Sequence, residues 1–367
     1  MAGGKAFGAA AGHRDYGRFL VSSGPYMVEG SEEVRYDLPA GQRSPVPGFE
    51  PRRSLSLVRN PAWERAGDDL RSARADRIEL SIGTSLEEAT RSVREGTADV
   101  LMNMWPPPQL SLELLNEYRT DPSLREHLYF FPRDFVRYMS MNLALPPLDD
   151  VHVRKAVNLV IDKARLVEIA GGQGIAEPAT HVMLDSLEEN LLLDYDPYRT
   201  PGAMGDLEAA GDEMALSKYD EDGDGRCDHP ACKGLLGVGF AQGEGVPINE
   251  STTTLQAGSI VEDLRGIGIE VDLRELPPEE LFGMLADPVE KIGLGINVAW
   301  GKDYPSGSTF ASLFKGGSPH NFSLLGASAE ELKRWGYRTA SVPSVEDKLH
   351  ECRNLVGNQQ TPCWAEL

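Results

Sequence analysis

The apolar positions of this chain change period along its length, and the changes predict an α/β protein. Ile78, Leu80 and Ile82 alternate with Glu79 and Ser81, the period-two pattern of a half-buried strand. Thr84 or Ser85 then offers a helix cap, and Leu86, Ala89 and Val93 fall at helical spacing through about Glu95. Gly96 is placed to stop this helix, and Ala98–Met102 is expected to return as a strand, completing a β-α-β unit. The order recurs downstream. Thr252–Arg265 carries Ala257, Ile260, Val261 and Leu264 on one helical face, Gly266 and Gly268 follow, and Ile269, Val271 and Leu273 alternate. Leu235–Phe240 and Gly293–Trp300 read as further strands, Leu281–Leu285 as a short helix and Val345–Val356 as a last amphipathic helix. Leu55–Val58 is a short strand that Arg59-Asn60-Pro61 ends, because Pro61 forces Asn60 out of the helical region.

Between these blocks, Gly30–Pro51 is rich in Gly, Pro and acids and reads as a loop or hairpin insertion. Trp105-Pro106-Pro107-Pro108 leads to a helix near Leu110–Tyr118, and Leu128–Asn142 is largely extended. The stretch Tyr138–Lys163 organises the rest. Its first half alternates like a strand and ends at Pro146-Pro147, after which Asp149 or Asp150 is placed to cap a helix. Val153, Val157, Val160 and Ile161 then form one apolar stripe running toward Lys163. A strand that leaves one body and a helix that opens another are what a crossover between two lobes requires.

A length of 367 residues implies two or three domains, and 41% hydrophobic with 25% charged residues is a globular composition. The net charge of −21 argues against nucleic-acid binding, which needs clustered Lys and Arg. The Gly/Ala-rich residues 1–17 read as disordered or as a severed connection, with no basic and apolar succession of a signal peptide. Four cysteines fall in two close pairs, Cys227/Cys232 and Cys352/Cys363, compatible with two local disulfides or with reduced thiols. Asn249-Glu250-Ser251 and Asn321-Phe322-Ser323 are glycosylation sequons by pattern alone.

One candidate site is legible without further context. Asp220, Asp222, Asp224 and Asp228 stand at positions 1, 3, 5 and 9 of a calcium loop, with Gly225 at the sharp turn and the carbonyl of Arg226 at position 7. Oxygens at these offsets converge on one hard cation, so calcium is expected here in a structural role. Ala231 stands where an EF-hand has its Glu, so this is a DxDxDG loop and not an EF-hand. The rival readings are a solvated acidic turn, and zinc on Cys227, Asp228, His229 and Cys232. No phosphate loop, HExxH or G-x-S-x-G elbow is present, so no catalytic constellation is expected.

Four further motifs occur in a fixed order. Ser23-Gly24-Pro25-Tyr26 is followed by Leu57-Val58-Arg59-Asn60-Pro61, then by Glu95–Val100. Asn142 and Pro146–Val151 continue through Arg154–Val157 to Asp162, and Trp300-Gly301-Lys302-Asp303-Tyr304-Pro305 comes last. Together they resemble the extracytoplasmic solute-binding proteins of peptide ABC transporters, solute-binding family 5, with Ser306-Gly307 replacing the second Asp-Pro of the last motif. The resemblance implies an α/β fold of the type II periplasmic-binding-protein kind, two lobes with mixed sheets joined by a hinge. The chain is expected to be truncated at both ends, with an incomplete first lobe: residues 18–140 in that lobe, 141–300 in the second, and 301–367 returning to the first.

It also implies a non-enzymatic, monomeric substrate-binding component of an ABC importer, outside the cytoplasm and lipid-anchored in full-length form. Its partners would be a peptide or similar small solute and a membrane permease. Asp303 is carried over as the contact for the ligand's α-ammonium, with Trp300 and Tyr304 lining the same wall. The plainer reading is that Asp303 caps a loop and Trp300 is core. The other functional readings are a ligand-sensing domain of a regulatory protein and, more remotely, a metal-assisted hydrolase using the Asp cluster.

Overall fold

The computed structural model describes residues 22–39, 42–68, 70–101, 112–128, 135–241 and 252–367, and the chain divides into two compact units, Met1–Met104 and Trp105–Leu367. Residues 1–17, Trp105–Pro108 and the Asn249 sequon lie outside the described residues.

In the first unit β1 (Tyr26–Val28), β2 (Phe49–Glu50), β3 (Ser54–Arg59) and β4 (Arg77–Ser81) form one antiparallel sheet. The central strand β3 pairs with β4 along one edge and with β1 and β2 along the other. Asn60, 7% exposed, explains why two motifs separated in sequence belong together. Its side-chain amide donates to the carbonyls of Ser22 (3.1 Å) and Gly24 (2.8 Å), its oxygen accepts from Ala62 N, and its own N–H reaches Pro25 O. Helix α1 (Leu86–Arg94) starts where the sequence places it, with Ser85 Oγ accepting from Glu88 N at 3.2 Å. Leu86, Ala89 and Val93 are half-buried as expected, but the strand expected at Ala98–Met102 is not formed over 98–101. Only Val100 and Leu101 among these are large and apolar, and Val100 is 69% exposed, so burial provides little to hold a ladder there.

In the second unit β5 (Phe135–Met141), β6 (Leu235–Phe240), β7 (Val271–Leu276) and β8 (Leu294–Gly301) form a sheet of order β5-β8-β6-β7. β5 runs antiparallel to β8, while β8–β6 and β6–β7 are parallel. The helices are α2 (Leu112–Thr120), α3 (Pro122–Arg125), α4 (Val151–Val160), α5 (Lys163–Ala170), α6 (Leu207–Met214), α7 (Thr252–Gly266), α8 (Pro278–Ala286), α9 (Ala329–Arg334), α10 (Glu346–Asn354) and α11 (Gln360–Glu366). Helices α7 and α8 are the crossovers that parallel pairing requires. The main core joins Val153, Ala156 and Val157 of α4, Ala210 and Met214 of α6, Leu264 of α7, and Leu294 and Ile296 of β8. A second core around Phe310, Leu349 and Trp364 contains the bonded pair Cys352–Cys363.

The stretch Tyr138–Lys163 forms β5, a cis peptide at Pro146-Pro147, and α4 capped by Asp150, whose Oδ1 accepts from His152 N at 2.9 Å. The expected continuation of the helix to Lys163 does not occur. Ile161 is already extended (ψ 121°), and Asp162 caps α5 instead, its Oδ1 accepting from Arg165 N at 2.8 Å. A short carboxylate that can satisfy the next helix's free N–H groups competes with continuing the first.

Candidate functional site

β8 is buried from Leu294 to Ala299, the consequence of having strands on both edges and apolar layers on its faces. It delivers Trp300 half-buried at its end, where the indole N–H donates to Thr309 O at 2.9 Å and the ring meets the edge of His320 at 4.9 Å between centroids. The chain then turns through Lys302–Ser306 into a 3₁₀ helix, Gly307–Leu313, capped by Ser306. Asp303 is exposed, and it is fastened to that helix twice. Its N–H donates to Thr309 Oγ1 (2.9 Å), and its Oδ2 accepts from the same hydroxyl (3.2 Å), while Thr309 itself is 4% exposed. Carboxylate oxygen Oδ1 has no hydrogen-bond partner among the described residues. The phenol oxygen of Tyr304 accepts from Ser308 Oγ at 3.2 Å, and the residue is 48% exposed.

Asp303 and Tyr304 line a hollow of about 580 Å³ together with Thr309, Lys315, His320 and Arg353. Trp300 reaches it through His320. The three cationic or basic residues carried no signal in the sequence, because Arg353 arrives from α10, fifty positions downstream of Asp303. The departure at Ser306-Gly307 has a local reason. A Cβ on Gly307 would lie 2.8 Å from Glu188 Oε1, from Met183 Cε and from Trp364 Cβ, so a proline ring there would have no room. The Gly307 N–H also donates to Glu188 Oε1, which proline would remove.

The acidic loop holds the carboxylates of Asp220, Asp222 and Asp224 within 4.8 Å of one another. Gly223 and Gly225 take positive φ (77° and 83°), letting the backbone wrap inward so that Asp220 accepts from Gly223 N at 2.7 Å and Gly225 N at 2.8 Å. Asp224 accepts from Arg226 N, and Asp228 lies outside this group of three, its Oδ1 accepting from Glu221 N at 2.9 Å. The Arg226 guanidinium donates to Gly266 O and Arg265 O, fixing the loop to the end of α7. Cys227 and Cys232 are bonded to each other, and His229 Nδ1 accepts from Ala231 N, so the zinc reading loses its thiolates. Tyr219, just before the loop, donates to Asp149 Oδ1 at 2.7 Å; burial, then that carboxylate, pushes its phenol well above the ordinary range.

β5 and β8 run side by side from Phe135↔Gly301 to Met141↔Leu294, with a bulge between Tyr138 and Ser140. Arg137 of β5 is half-buried, and burial pulls its guanidinium below the ordinary range. Asn142, 4% exposed, ends β5: its amide donates to Ile292 O (3.0 Å) and Tyr337 Oη (2.9 Å), and its oxygen accepts from Ala144 N (3.1 Å). No helix among the described residues is long and apolar enough to cross a membrane.

Solved structures of similar fold include the clavulanic acid biosynthesis oligopeptide binding protein 2, with TM-score 0.67 and 26% identity over 96% of this chain and 56% of that one. A periplasmic oligopeptide-binding protein of Borrelia burgdorferi aligns with TM-score 0.59 and 15% identity, over 95% of this chain and 55% of its own. The Haemophilus influenzae OppA in complex with RPPGFSPFR gives 0.57 and 15%, over 94% and 55%. The chain therefore spans little more than half the length of these structures. No curated protein matches it in sequence. The family model for bacterial extracellular solute-binding proteins, family 5 Middle, matches residues 6–322, and with the ordered motifs and the mixed α/β architecture this shows that the chain belongs to that family.

Proposed function

We propose that this protein is the substrate-binding component of an ABC importer, capturing peptides or similar small solutes outside the cytoplasm by closure of two lobes. It is read as a non-enzymatic monomer that hands its ligand to a membrane permease, and as a lipoprotein in its full-length form. Residues 18–140 and 301–367 are assigned to one lobe and 141–300 to the other, with β5 and β8 as the two crossings. The observation that carries this reading, beside the family, is the placement of Asp303. Strand β8 ends two residues before it, Thr309 fixes it, and one carboxylate oxygen has no hydrogen-bond partner among the described residues beside a hollow of about 580 Å³. That oxygen is assigned to the ligand's α-ammonium group, with Tyr304 and Trp300 supplying flat apolar area beside it.

Calorimetric titration with trialanine and N-acetyl-trialanine tests the assignment. Acetylation removes the ammonium and should weaken binding by roughly 10- to 100-fold, the worth of a charge-assisted hydrogen bond. Asp303→Asn should abolish that discrimination, and an unchanged ratio in the variant would sink the role given to Asp303.

A structural calcium ion is proposed at Asp220, Asp222 and Asp224, with the Arg226 carbonyl and Asp228 completing the donor set. Support comes from the convergence of three carboxylates on one small volume, where a divalent cation would offset their mutual repulsion. The ion would order the loop and supply no chemistry of its own.

A further inference from the structure

The lining of the hollow beside Asp303 is unusual for a chain of net charge −21. Asp303 is its one carboxylate, and Lys315, His320 and Arg353 face the same space. Three separate elements contribute these groups. Lys315 follows the 3₁₀ helix Gly307–Leu313, His320 sits in the next turn with its ring against Trp300, and Arg353 projects from α10 beside Cys352. Cys352 is fully buried and bonded to Cys363, which anchors the backbone that carries Arg353. Lys315 and Arg353 take part in no ion pair among the described residues, with Asp303 or with any other carboxylate, while both line the hollow. Glu346 accepts the N–H of Gly316, a residue of the lining.

We propose that this hollow selects ligands carrying a carboxylate close to their free amine, foremost peptides whose first residue is Asp or Glu. The inference rests on the peptide-binding reading of Asp303 given above. Asp303 takes the ammonium, and the acidic side chain of the same residue reaches Lys315 and Arg353. Both cations are exposed, so each pair is worth only what a hydrated ion pair provides, and the two together correspond to about a tenfold preference for an acidic over an amide side chain. The preference is electrostatic and shrinks as salt shortens the screening length.

The test is calorimetric titration of the protein with Glu-Ala-Ala and Gln-Ala-Ala. The wild type should favour Glu-Ala-Ala by about tenfold at low salt and by less at high salt. The double variant Lys315→Met/Arg353→Met should bring the ratio below about twofold, and Lys315→Arg should keep the preference. A ratio near one in the wild type, or a ratio that survives the double variant, overturns the inference. If Asp303→Asn still weakens both peptides in that case, the peptide-binding reading stands without it. Failure of the wild type to bind either peptide overturns both.

Discussion

Removing the Asn142 side chain is the perturbation for which the structure gives the most definite magnitude. In Asn142→Ala three buried groups lose a partner: the carbonyl of Ile292, the N–H of Ala144 and the hydroxyl of Tyr337. Tyr337 still donates to Pro288 O at 2.8 Å, so its hydrogen keeps a partner and only its lone pair is orphaned. Among the described residues the Ile292 carbonyl and the Ala144 amide have no second partner, in a site where Asn142 is 4% exposed. Counting about 1 kcal/mol for each orphaned group, and less for the tyrosine, gives a loss of about 2–3 kcal/mol. For a unit of this size that corresponds to a fall in Tm of about 5–10 °C. Urea denaturation followed by tryptophan fluorescence measures it, with Tyr337→Phe and the double variant closing a cycle. The cycle should return a coupling of about 1 kcal/mol between Asn142 and Tyr337. A loss below about 1 kcal/mol for Asn142→Ala, or zero coupling, would show that water replaces the side chain and would refute the argument from orphaned groups.

Three other outcomes are expected. Glu213 accepts from His152 Nδ1 (2.8 Å) and Lys155 Nζ (3.3 Å), and the His152 bond, foremost, holds its carboxyl below the ordinary 4.5. A depressed pKa contributes stability above the unfolded value that is lost as pH falls through the folded one. The stability gap between wild type and Glu213→Gln should therefore be full at about pH 6 and close below about pH 4.5; a gap that widens in acid would contradict this. Gly268→Ala forces a side chain into φ +84° and puts a Cβ 2.7 Å from Cys227 N, so it should cost about 3 kcal/mol or prevent folding, read by circular dichroism of the purified variant. Calcium added after chelation should raise Tm saturably, by about 2.7 kcal/mol of stability at a hundred times Kd; Asp222→Asn should blunt the shift, and no shift at millimolar calcium would dismiss the ion.

Much of the secondary structure was legible because it follows from period. The β6 and β8 strands, the α7 helix and the Ser85 cap sit where apolar spacing and short polar side chains put them. The family motifs were legible as motifs, yet the structure gives most of them a scaffolding role. Asn60 ties two segments together, Asp150 and Asp162 start helices, and Arg154 donates to Leu148 O at 2.7 Å. What the sequence could not display depends on distant neighbours. The break at Ile161 is favoured by Asp263, whose carboxylate accepts the Asp162 N–H from about a hundred residues away. Residues 98–101 pair with no strand among the described residues, and Lys315, His320 and Arg353 line one hollow only because α10 folds back toward the end of β8.

The position of β8 has a consequence for how the second unit assembles. Its two edge partners are remote in the chain: Asn142 at the end of β5 meets the carbonyl of Ile292 across 150 residues, and β6 reaches it only after α7, β7 and α8 have been made. The β6-α7-β7 segment can form early from its own local contacts, but the middle of the sheet stays open until the last strand inserts between two preformed edges. Long-range closure of that kind is slow and leaves unpaired strands waiting. During synthesis, β5 therefore depends on whatever shields its open edge until residue 301 has emerged.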